Sequence, residues 1–337
     1  FFKQKTAYEI RNCDWSSDVC SSDLVNITKS ITLGSATSVG GSGNMTISGN
    51  INNTTVANTF TKIGAGILTI SSDNSTSSNW TAGDVVVAEG TLSISSVFSA
   101  TNLGTNMTTS RNLILGGAST TGTLLYTGSG STTGMRYSTT GLGGTISSST
   151  STTLSLTYTT PSIASGSTLT TNCTSTGGLT ISGVLSGAGN FRVNSSGAGV
   201  TTLSNANIYT GTTTVSAGTL QLAGAAERIS NSSNLILNGG VFSTGATTGF
   251  GETLGTLSVT GSSTIALGTL SHTLSFSGTS GAWSGGITIT GWTGNAGVTG
   301  ATGKIFIGSS QVLSAAQLAL ITFQGYGAAM QLGTGEI

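Results

Sequence analysis

Charge is what this chain has least of. Of 337 residues only 6% are charged, ten basic against ten acidic, for a net charge of zero. With no basic excess there is little to neutralise phosphates, which argues against a nucleic-acid partner. One histidine and three cysteines leave few groups for a catalytic or metal site. No apolar run reaches 18 residues, so no segment reads as a bilayer-spanning helix. The single proline keeps nearly every backbone N–H available for strand pairing. Aromatic residues, at 6%, are too sparse for the punctuation expected of a propeller. What fills the chain instead is 52 glycines and 115 serines and threonines, about half of all residues and far above ordinary globular usage.

Residues 1–24 differ from the rest. They hold seven of the twenty charges (Lys3, Lys5, Glu9, Arg11, Asp14, Asp18, Asp23), Trp15, Cys13 and Cys20. The stretch resembles the peptide obtained when sequencing-adapter DNA at a contig edge is translated in frame, and it lacks the apolar h-region of a secretory signal. Cys13 and Cys20 therefore carry no disulfide or metal argument. Cys173, flanked by Asn172 and Thr174, has no nucleophile or ligand pattern around it and reads as a structural thiol.

From residue 25 onward, apolar residues recur two apart: Val85 and Val87, Leu92 and Ile94, Leu220 and Leu222, Ile265 and Leu267, Ile287 and Ile289. That is the period of a strand with one buried face. The runs are short and separated by Gly, Ser and Asn, the residues of turns. The chain also repeats. Gly64-Ala65-Gly66-Ile67-Leu68-Thr69-Ile70-Ser71 returns as Gly197-Ala198-Gly199-Val200-Thr201-Thr202-Leu203-Ser204, and Gly90-Thr91-Leu92 as Gly218-Thr219-Leu220. Thr46-Ile47-Ser48-Gly49 and Asn112-Leu113-Ile114-Leu115-Gly116-Gly117 return, in the same order, at 180–183 and 234–240. The duplicated unit therefore spans about 44–117 and 179–240.

A duplicated, strand-rich unit without helical periodicity implies a solenoid. One coil cannot cover its own apolar residues, whereas stacked coils align inward Leu, Ile and Val into ladders. The expected fold is all-β, a right-handed parallel β-helix over 25–282 in preference to a sandwich array or propeller. Residues 283–337 are expected to close it. There Ser314-Ala315-Ala316-Gln317 has the form of a capping box, with Leu313 and Leu318 as a staple, predicting a helix of about two turns over 315–321.

Around the second unit, Leu203-Ser204-Asn205-Ala206-Asn207-Ile208-Tyr209-Thr210-Gly211, then Thr214-Val215-Ser216-Ala217-Gly218-Thr219-Leu220-Gln221-Leu222, resembles the autotransporter-associated β-strand repeat. The 64–95 unit is similar, but has Asn79-Trp80-Thr81 where Asn207-Ile208-Tyr209 stands, and so lacks the tyrosine. The resemblance implies export, a β-helical passenger-like region, and display at or release from a bacterial surface. Secretion or anchoring machinery would be reached through segments beyond these termini, and the close of the chain is similar to that of exported repeat proteins in which a sorting or anchoring tail follows.

Chemistry-bearing groups form no recognisable cluster. Asp73, Asp84 and Glu89 are the acidic residues between 25 and 200. A glycosidase needs two such carboxylates flanking its bond, yet the counterparts of Asp84 and Glu89 are Thr212 and Ala217. His272 has no acidic neighbour nearer than Glu252, so no triad is indicated. No cofactor or metal is expected. The rings best able to stack on a sugar are Trp80, Trp283, Trp292, Tyr126 and Tyr137, candidate contacts to glycans or cell surfaces. Regular Thr rows could meet ice, but the sequence argues against that reading because it shows no Thr-x-Thr array sustained on one face: Tyr158 interrupts Thr157–Thr160, and Thr212-Thr213-Thr214 points to both faces. The reading from sequence is an exported, non-catalytic structural β-solenoid. A polysaccharide-acting or glycan-binding module on the same scaffold is the alternative.

Overall fold

In the computed structural model of the chain the structure describes residues 25–54, 56–75, 79–97 and 102–337, and residues 1–24, with Cys13 and Cys20, lie outside them. The described chain is a parallel β-solenoid. A 13-stranded sheet runs from Val25–Ile27 to Gly303–Ile307, a nine-stranded sheet from Ser131–Thr133 to Ile321–Phe323, and a six-stranded sheet from Thr37–Gly40 to Ser162–Ile163. Each strand pairs with its equivalent one coil away. The separation is 22 residues at Leu124↔Ile146, Val193↔Val215 and Leu235↔Leu257, and ranges from 19 at Val200↔Thr219 to 34 at Ile287↔Ile321.

Alternation explains the stacking. In Leu113–Leu115 and Leu179–Ile181 the outer residues are buried and the middle one is half-exposed. The inward residues then align across coils, as in Leu68, Leu92, Leu124 and Ile146, each at most 0% exposed. A fully buried Leu or Ile contributes roughly 1.5–3 kcal/mol, and the ladder makes every coil the cover of the next. The turn before each GTL strand is one place where glycine is required. Gly90 and Gly218 adopt φ of 68° and 72°, and a Cβ at Gly90 would stand 2.3 Å from the Gly64 carbonyl oxygen.

The duplicated units do not lie on the same faces. Ile67–Ile70 and Gly90–Ile94 belong to the 13-stranded sheet, whereas their counterparts Val200–Leu203 and Thr219–Leu222 belong to the nine-stranded one. Likewise Val85–Val87 is in the six-stranded sheet and its counterpart Thr213–Ala217 in the 13-stranded sheet. The whole motif is advanced by one face. Between the two copies, coils such as Tyr137–Thr139, Gly143–Ser148 and Leu154–Leu156 place a strand on all three faces.

At the C-terminal end the capping box forms: the Gln317 N–H donates to Ser314 Oγ (3.2 Å), and the Ser314 N–H donates to Gln317 Oε1 (2.9 Å). The helix is shorter than its sequence suggests, Ala315–Leu318, because Ile321–Phe323 is drawn into the nine-stranded sheet beside Ile287–Thr290. The final residues turn back antiparallel, through the bridges Thr322↔Ala328 and Phe306↔Glu336. The Ile337 N–H donates to Ile305 O and the Ile307 N–H to Gly335 O, which covers the last strand of the 13-stranded sheet.

Candidate functional site

The polar residues of the repeat gather at the coil corners. Asn207 is buried, its Oδ1 accepting from the Leu185 N–H (2.8 Å) and its Nδ2 donating to Asn205 O and Arg228 O. One side chain thus ties three coils together. Tyr209 follows it, fully buried, with its ring 6.0 Å from Phe191 and its hydroxyl 2.6 Å from Thr213 Oγ1. In the first unit Asn74 has the same office: Oδ1 accepts from the Ile51 N–H (2.7 Å), and Nδ2 donates to Ser72 Oγ and Asn102 O. Trp80 there packs edge-on against Phe60, centroids 5.1 Å apart. The structural equivalents of Asn207 and Tyr209 are therefore Asn74 and Trp80. Sequence order instead suggests Asn79 as the counterpart of Asn207, because Asn74 and Trp80 are six residues apart where Asn207 and Tyr209 are two apart; the indole fills the tyrosine's place.

Two cations are buried beside the first unit. Lys62 is 1% exposed, and its Nζ donates to the carbonyls of Ile63 (2.9 Å), Gly64 (2.6 Å) and Glu89 (3.1 Å). Burial pushes its pKa down, against the opposing pull of Glu89. Arg111 donates to Gly83 O, Trp80 O, Leu103 O and Thr105 O and lies 4.8 Å over the Trp80 ring. Burial lowers its pKa to about 10, with Asp84 opposing. Both cations are consumed in satisfying carbonyls that the corners turn inward, a use sequence patterning had no means to reveal.

The acidic groups are likewise engaged with backbone. Asp84 accepts from the Asn112 N–H, Glu89 from the Gly64 N–H, and the exposed Asp73 from the Ser75 N–H. Glu252, 1% exposed, accepts from the Arg228 and Ile229 N–H groups, and Glu336 from the Gly300 N–H and the Thr299 hydroxyl. His272 is held between Thr244 Oγ1 and Leu270 O, 3.0 Å from each. Cys173 is buried and free, and burial raises its pKa, away from the reactive thiolate. Among the described residues no three His, Cys, Asp or Glu side chains converge on a metal-sized site. A shallow depression of about 220 Å³ lies between residues 221–224 and 246–250, and its lining holds no ionisable side chain.

Of the five rings singled out from sequence, Trp80, Tyr126 and Tyr137 are at most 2% exposed and Trp283 is 8% exposed. Tyr126 donates to Ser129 O, and Trp283 Nε1 to Thr279 Oγ1. These four are buried in the core. The fifth, Trp292, is half-buried, meeting Phe323 at 5.1 Å and the exposed Tyr326 at 4.7 Å. The structure does not bring the five together.

A family model described as the passenger-associated-transport-repeat matches residues 60–94 and 196–222. Two segments of the chain are thus similar to this repeat. Each match contains one corner: Asn74 and Trp80 in the first, Asn207 and Tyr209 in the second. The matched segments begin or end on solenoid strands, from Phe60–Ile63 to Gly90–Ile94 and through Thr219–Leu222. The two matches share a strand, a corner and a further pair of strands, and the first adds Phe60–Ile63 ahead of these. No curated protein and no solved structure matches the chain.

Proposed function

We propose that the chain is a structural passenger region: an exported, surface-displayed or secreted β-solenoid that acts as a spacer without catalytic activity. The observation that carries this reading is the placement, at coil corners, of the two segments similar to the passenger-associated-transport-repeat, where their Asn and aromatic side chains tie adjacent coils together. The engagement of Asp84, Glu89, Glu252 and His272 with backbone or Thr partners supports it further. Thirteen stacked strands, at about 4.8 Å each, make a rod near 60 Å long. Glycan or cell-surface contact, where it occurs, is assigned to Trp292 and the neighbouring Tyr326.

The test joins small-angle scattering of the full chain, for rod length, to surface labelling of cells that express it with a native export signal. Turnover of a polysaccharide panel, abolished by Asp84→Asn or Glu89→Gln, would overturn the non-catalytic reading. Retention on insoluble glycan, lost in Trp292→Ala, would support the contact.

A further inference from the structure

Inward residues of the nine-stranded sheet are spent on the core, and alternation turns the remainder outward. Two straight rows result. One stacks Thr132, Ser155, Thr180 and Thr202, then passes through Gln221, the buried Ser243 and Ala266 before it reaches Thr290. The other stacks Val200, Thr219, Val241, Thr264, Thr288 and Thr322. Neither row contains a charged or aromatic residue, and none of the sheet's eight pairings carries a register shift. The 13-stranded sheet differs on both counts: Arg192 and Lys304 stand half-exposed on it, and its register shifts at Val193/Asn194 and Leu237/Asn238.

The hydroxyls are also distinctive. Inward hydroxyls are paired, Thr171 with Thr201 and Thr213 with Ser233, each at 2.9 Å. Among the described residues, those of Thr132, Thr180, Thr202, Thr219, Thr264 and Thr288 make no hydrogen bond within the protein. The second row along its length, and the first from Thr132 to Thr202, offer an ordered array of methyls and unpaired hydroxyls. The array arises across coils, between residues about 22 apart, which is why it is invisible along any one strand.

Neighbouring strands are about 4.7–4.9 Å apart. In a tetrahedral water lattice with O–H···O near 2.75 Å, second-neighbour oxygens are about 4.5 Å apart, so the row spacing follows that of ice to within a few tenths of an ångström. An uncharged, aromatic-free, periodic face is poorly suited to phosphates or to sugar stacking. It suits an uncharged, periodic occupant. We propose that the outer face of the nine-stranded sheet is an ice-binding surface, on which the Thr hydroxyls continue the water lattice and the Thr and Val methyls sit in its hollows. The face stands on strand register alone, so the ice assay and the export assay can fail independently.

The full chain would be tested by slow growth of ice on a cold finger, measuring the protein fraction incorporated, together with microscopy of crystal shape. The unsubstituted chain should enter the ice and facet it. Thr219→Lys and Thr264→Lys should each reduce incorporation about tenfold, an effect of about 1.4 kcal/mol, while Thr145→Lys on the 13-stranded sheet leaves it unchanged. Unfolding curves identify any variant that fails to fold, and the pair Thr219→Ala and Thr264→Ala then replaces it. Exclusion of the unsubstituted chain from ice overturns the proposal, as does equal incorporation of the folded variants. Binding to crystalline cellulose or chitin that these variants abolish, without entry into ice, would give the face to a polysaccharide and equally overturn it.

Discussion

Glu252 makes the stability of this solenoid depend on pH in a direction unusual for a carboxylate. It opens the strand Glu252–Gly261 with its side chain 1% exposed. Burial raises its pKa to about 8, with Glu227 adding to the rise, while the N–H groups of Arg228 (2.8 Å) and Ile229 (2.9 Å) and the Arg228 charge oppose it. A folded-state pKa above the unfolded one means that the folded chain holds the proton more tightly. Its contribution is fully present below the unfolded pKa of about 4.5 and is lost as pH rises through about 8. Within that window the loss is ~1.4 kcal/mol per pH unit, about 5 kcal/mol across it. Glu252→Gln removes the ionisation. Urea unfolding of both chains at pH 5, 6, 7 and 8 should therefore show the variant gaining steadily on the parent as pH rises. Parallel stability curves, or a parent that gains with pH, would mean that the two N–H donors outweigh burial and would refute the reasoning.

Three further outcomes follow from the corners and turns. Asn207→Ala and Asn74→Ala each strand a buried N–H, that of Leu185 or Ile51, and should cost about 1–3 kcal/mol in denaturant unfolding. Trp80→Ala should cost about 3–5 kcal/mol, whereas Trp80→Tyr, which restores the ring type used at Tyr209, should recover most of that loss in the same assay. Gly90→Ala should destabilise by more than 1 kcal/mol in thermal unfolding, because its φ of 68° and the nearby Gly64 oxygen leave no room for a Cβ.

The solenoid was legible because its determinants are local: the two-residue alternation of Leu113–Leu115 or Leu179–Ile181 and the Gly-Thr-Leu turns both appear within a few residues. The capping box at Ser314 and Gln317 was legible for the same reason, whereas the helix length was set by strand pairing at Ile321–Phe323. Features decided between coils were hidden. The equivalence of Asn74 with Asn207, the bonds of Lys62 to Glu89 O and of Arg111 to Gly83 O and Trp80 O, and the burial of Trp80 against Phe60 depend on residues 20 or more positions away. The face occupied by each copy of the repeat was hidden too, since nothing within the motif refers to the solenoid axis.

The short reach of every strand pairing bears on how the chain acquires its structure. Parallel sheets usually join segments distant in sequence, and such topologies fold slowly. Here partners are separated by 19 to 34 residues in a chain of 337, which gives a relative contact order of about 0.07, in the range of fast-folding helical proteins. A coil needs only its immediate predecessor as a template. Structure can therefore advance along the chain like a closing zipper, each increment locked before the next arrives, and under tension it should be lost in the same small steps.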